Sequence, residues 1–110
     1  AAGTCTRCAF EISTRHANED FQCVVSVRCM GDLGNSREKV SLVTTGKPSH
    51  VPKLLRQAQR LLLNEEVRAR HWEDLKAGSA QLGQVAKDFP QEGQDECLFS
   101  RDVVVVEIRG

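Results

Sequence analysis

Apolar and polar residues alternate along the first part of the chain. Cys8, Phe10 and Ile12 interleave with Ala9, Glu11 and Ser13. After the polar stretch Arg15–Asp20 the alternation resumes through Phe21, Cys23, Val25, Val27 and Cys29. A period of two with aromatic and β-branched residues predicts two strands, and the polar break predicts a hairpin with one buried face. A Gly/Asn/Ser loop over Gly31–Arg37 leads into a third strand over Lys39–Thr45, with Val40 and Leu42 turned inward.

The period then changes. From His50 to Leu63, Val51, Leu54, Leu55, Ala58, Leu61 and Leu62 fall on one face of a helix, and Lys53, Arg56 and Arg60 fall on the other. Gly46-Lys47-Pro48-Ser49 ends the sheet, Ser49 is placed to cap the helix, and Pro52 is tolerated because it lies in the first turn. The stripe does not continue cleanly past Asn64, which predicts a break there. Glu65 to Lys76 has helix-forming composition, with Val67, Trp72 and Leu75 as its apolar residues. Gly78 and Ser79 punctuate the chain again. Ala80, Leu82, Val85, Ala86 and Phe89 then predict a short helix stopped by Pro90. Gln91–Glu96 reads as a polar loop. Val103–Ile108 is apolar on both faces for most of its length, which predicts a central strand.

The order β-β-β-α-α-β predicts an α+β fold. One antiparallel or mixed sheet of about four strands is packed on one side by two or three helices, because each strand has one apolar face and the helix one apolar stripe. Residues 1–110 read as a single domain. The last strand runs almost to Gly110, so the domain is expected to be excised from a larger protein.

Charge narrows the function classes. Fifteen basic residues balance fifteen acidic ones, so the whole molecule carries no field that would steer it to nucleic acid or an anionic membrane. No apolar run approaches the roughly 18 residues of a membrane span, and no Asn-x-Ser/Thr sequon occurs.

The five cysteines are Cys5, Cys8, Cys23, Cys29 and Cys97. Cys5-x-x-Cys8 has half the spacing of a zinc site, but no second pair follows, and His16, His50 and His71 make no paired set. Cys8, Cys23 and Cys29 share the inward phase of their strands, so they read as small buried hydrophobes. The alternative is a disulfide, since a hairpin turning near Asn18 would set Cys8 opposite Cys29. That bond would make the chain secreted. The odd count points instead to a reducing, cytoplasmic or nuclear setting.

Ser41–Pro48 runs from a strand into Gly46-Lys47, yet Ser41 and Pro48 stand where a phosphate-binding loop needs Gly and a metal-ligating Ser or Thr. No cofactor or metal is expected. The basic stripe Lys53, Arg56 and Arg60, extended by Lys47, is the candidate surface for phosphates or an acidic partner. Glu65, Glu66, Glu73 and Asp74 interleave with Arg68, Arg70 and Lys76, which predicts local ion pairs along the second helix. Trp72, flanked by His71 and one turn beyond Arg68, is the candidate anchor for a protein partner. The histidines and carboxylates show no spacing that implies a catalytic dyad or triad, so no enzymatic activity is expected.

The strands, the glycine-containing turn and the basic helix over Cys8–Leu63 resemble, in topology, the C-terminal two-thirds of a double-stranded-RNA-binding domain. That family reads RNA by shape from a lysine-rich start to its last helix. Here Ser49-His50-Val51-Pro52-Lys53-Leu54 stands at that place, and only Lys53 matches. The family's leading helix is missing, and the residues after Leu63 have no counterpart in it. The expected role is a non-catalytic interaction module that binds a protein through an exposed strand edge or the helical surface around Trp72. RNA binding through Lys47, Lys53, Arg56 and Arg60 is the alternative.

Overall fold

In a computed structural model the chain forms one mixed sheet and a layer of helices, described for residues 7–30 and 36–110. The strands are β1 (Ala9–Arg15), β2 (Gln22–Met30), β3 (Ser36–Thr45) and β4 (Val103–Arg109). The helices are α1 (Val51–Leu63), α2 (Glu65–Ala77) and the single turn α3 (Leu82–Val85), which runs on as a 3-10 turn. The α+β architecture is the one the hydrophobic pattern predicts.

The sheet order is β1-β4-β2-β3. β4 is central, as its two apolar faces require. It pairs parallel with β1 and antiparallel with β2, while β2 pairs antiparallel with β3. The expected β1–β2 hairpin is therefore not formed, because β4 inserts between those strands. Each keeps its inward phase, and the valine run of β4 fills the place between them. The insertion also separates Cys8 from Cys29. Both are free thiols, as are Cys23 and Cys97, so the expected alignment for a disulfide is absent. Cys5 and the loop 31–35 lie outside the described residues. The three-strand antiparallel arrangement behind the likeness to an RNA-binding domain is likewise not present, since β1 runs parallel to its neighbour.

The core lies between sheet and helices. Val25, Val27, Val104, Val106 and Cys23 meet Ala58, Leu61 and Leu62 of α1, Leu75 of α2 and Leu82 and Val85 of α3. Each buried leucine contributes about 1.5–3 kcal/mol by leaving water. Between Val25–Val43 and Ser26–Ser41 the register slips by one, so Leu42 is an extra residue in β3 and turns inward with Val40.

α1 ends where predicted. Asn64 leaves helical geometry (φ −127°, ψ 79°) and is fully buried, yet its amide is satisfied. Nδ2 donates to the Arg60 carbonyl and to Asp95 Oδ1, both at 2.8 Å, and Oδ1 accepts the Glu96 N–H at 3.2 Å. Ser49 does not cap α1. It lies inside the 3-10 turn Pro48–His50, and His50 takes the cap position with no side-chain bond. α2 ends at Gly78, whose φ of 78° lets the chain reverse while Ser79 N–H reaches the Asp74 carbonyl at 2.8 Å.

Candidate functional site

The helices pack chiefly on β2, β3 and β4. β1 is left at the rim, and all its residues but Phe10 are exposed. Ile12, expected to face inward, is 60 % exposed although it points to the helix side of the sheet beside Val106. The reason is coverage. A strand's inward phase buries a side chain only where a helix lies above it, and among the described residues none packs closely over Ile12.

The free edge of β1 has a defined hydrogen-bonding phase. In a parallel ladder one residue directs both its N–H and its C=O to the same neighbour, and the next residue directs both away. The Arg15 carbonyl accepts the Gly110 N–H at 3.2 Å. Arg15, Ser13, Glu11 and Ala9 therefore bond toward β4. Phe10, Ile12 and Thr14 direct their backbone groups outward, and no described strand pairs with them.

The two edges of the sheet differ. β3, at the other rim, is paired through two register irregularities and has α2 packed against it. Bulges and coverage of this kind block further pairing. β1 pairs in unbroken register from Ala9 to Arg15 and contains no proline. Its solvent face is steadied from within, because Glu11 reaches over β4 to Arg28 at 2.9 Å. Lys39–Glu107 makes the matching bridge from β3 at 3.1 Å.

The basic stripe of α1 is divided by the fold. Lys53 and Arg56 are exposed, and Lys47 lies in the preceding connection, its N–H held by Thr45 Oγ1 at 3.1 Å. Arg60 turns away to bind Asp95 at 3.0 Å and the carbonyl of Pro90 at 2.6 Å, with its guanidinium 5.3 Å from the Phe89 ring. Arg7 reaches the other Asp95 oxygen at 3.1 Å. The Asp95 side chain is 2 % exposed. Burial alone would raise its pKa, but hydrogen bonds from Asn64 and Arg60 and the charges of Arg60 and Arg7 hold it below the ordinary carboxylate value. This network fastens the 90–97 loop to the α1–α2 junction, where Cys97 N–H also meets the Leu63 carbonyl at 2.9 Å. Sequence reasoning missed it, because Asp95 and Arg7 are far from Arg60 along the chain.

The surface around Trp72 is likewise tied into the fold. Trp72 is half-buried against the core, with the Arg68 guanidinium 4.4 Å from its ring centroid. Arg68 was expected to pair along its own helix. It pairs instead with Asp102 at 2.5 Å and donates to Cys29 Sγ at 3.3 Å. Burial raises the Cys29 thiol's pKa, the Arg68 charge opposes this, and Asp102 and Glu38 add to the rise. Asp102 also accepts the Met30 N–H at 2.9 Å. His71 Nε2 lies 2.6 Å from Asp88 Oδ2, closing α2 onto the turn after α3. The predicted pairs along α2 occur for Arg70–Glu66 at 3.7 Å and Lys76–Glu73 at 2.9 Å.

No known protein family, curated protein or solved structure matches the chain. Its chemistry must be read from the arrangement alone. Among the described residues no three metal-ligating side chains gather, and no helix is long and apolar enough to cross a membrane.

Proposed function

We propose that this chain is a non-catalytic interaction module that receives a strand along the outer edge of β1. One observation carries the reading: β1 is a regular edge strand with outward backbone groups on Phe10, Ile12 and Thr14, and its uncovered Ile12 side chain lies between half-buried Phe10 and exposed Thr14. Strand addition takes its affinity from main-chain hydrogen bonds and its specificity from alternate side chains. β1 supplies both. Around Trp72 the polar groups already have partners within the fold, so the helical surface offers less to a newcomer than the strand edge does. Loss of Arg60 to Asp95 weighs in the same direction, since the α1 face retains only Lys53 and Arg56 for an anion.

A random-peptide display selection against the folded chain tests this. Extended binders with alternating apolar residues should emerge, and Ile12→Pro should abolish their binding, because proline removes an outward N–H that the fold itself does not use. Binders that ignore this substitution and perturb the amides around Trp72 instead would overturn the reading.

A further inference from the structure

We infer that the strand received by β1 is the β1 of a second copy of this chain, paired antiparallel about a two-fold axis through Ile12. The inference rests on the strand-edge reading above and names its partner.

A two-fold axis at Ile12, the middle residue of β1, sets the strand against its own mate over its whole length. With Ile12 opposite its mate, Phe10 faces Thr14 of the second copy, Glu11 faces Ser13 and Ala9 faces Arg15. The backbone phase agrees with this register. Phe10, Ile12 and Thr14 direct their N–H and C=O outward, as argued from the Arg15–Gly110 bond. They would be the hydrogen-bonded pairs, each exchanging two bonds, and the seven residues of β1 would all be paired. A register moved by one residue would bring inward-bonded groups against outward ones.

Side chains complement as well. On the helix side Phe10 of each copy lies against the methyl-bearing Thr14 of the other, and the 60 % exposed Ile12 is covered by its mate. On the other face Arg15 lies diagonal to Glu11 of the second copy, within reach of a long side chain. Arg15 has no side-chain partner among the described residues, and each Glu11 is already balanced by its own Arg28. A two-fold of this kind is isologous and closes on itself, so it yields a dimer rather than a fibre. The bulged β3 edges would lie at the far ends of the joined sheet, where they oppose further growth.

The test uses the full chain and two variants, Ile12→Lys and Ile12→Glu, with far-UV spectra to show that each folds. Sedimentation equilibrium should find the unaltered chain dimeric, and each variant alone should self-associate on the order of tenfold more weakly, because like charges meet on the axis. An equimolar mixture of the two should recover dimer through a Lys–Glu pair at that point. Self-association as strong as the parent's in both single variants, or no recovery in the mixture, would overturn the inference. A monomeric parent chain whose β1 still captures display-selected peptides would overturn it too, while leaving the strand-edge reading in place. A parent chain that neither dimerises nor captures peptide at β1 would overturn both.

Discussion

Arg60 Nε lies 3.0 Å from Asp95 Oδ1, so a residue on the helix face assigned to solvent by its spacing is turned into the fold. Removing Arg60 takes from the buried Asp95 carboxylate the more buried of its two cations, leaving Arg7 and the Asn64 amide, and this costs far more than losing a surface ion pair. We expect Arg60→Ala to lower stability by about 3 kcal/mol. Lys53→Ala and Arg56→Ala should each stay within about 0.5 kcal/mol. Urea unfolding of the three variants checks the contrast, and equal effects would contradict the network.

Asp95 also sets an acid limit. Its folded pKa lies below the unfolded value, so its contribution is whole above that unfolded value, about 3.9. It is lost as pH falls through the folded pKa. The urea midpoint should therefore drop steeply below about pH 4. Asp95→Asn should be less stable than the parent at neutral pH, yet lose less on acidification.

Trp72 is expected to report on folding rather than on a partner. Its ring packs on the core under the Arg68 guanidinium. Trp72→Ala should cost about 2 kcal/mol. Arg68→Ala should shift the tryptophan emission to longer wavelength, because water replaces the guanidinium over the ring. An unchanged spectrum in Arg68→Ala would remove the stacking from the account.

Ser26 is fully buried on the sheet face away from the helices, and its Oγ finds no hydrogen-bond partner among the described residues. A buried hydroxyl without a partner is unfavourable. Ser26→Ala should therefore be neutral or stabilising by about 1 kcal/mol, read from thermal unfolding. A clear loss of stability would show that the hydroxyl is satisfied in solution.

Much of the fold is legible along the chain because its causes are local. The unbroken valines of β4 announce a strand buried on both sides, and the leucine spacing of α1 announces the face that seats on the sheet. The break at Asn64 shows in the loss of that spacing. The β1–β2 pairing misled for the opposite reason. Alternation says which way side chains point, but it is silent about which strand lies alongside. The candidate site was legible only as a general choice between a strand edge and the Trp72 surface. Ile12 carries the same inward phase as Val25, and nothing in its neighbours reveals that no helix lies over it.

Residue order alone determined the periods, and with them the number of elements, their amphipathic faces and the two-layer α+β class, since each depends on residues a few positions apart. Only the tertiary structure decided that β4 enters between β1 and β2, that Arg60 serves Asp95 and that β1 is an edge of the sheet among the described residues. Those outcomes depend on competition among distant segments for the same hydrogen bonds and the same buried surface, and such competition has no signature in a short window of sequence.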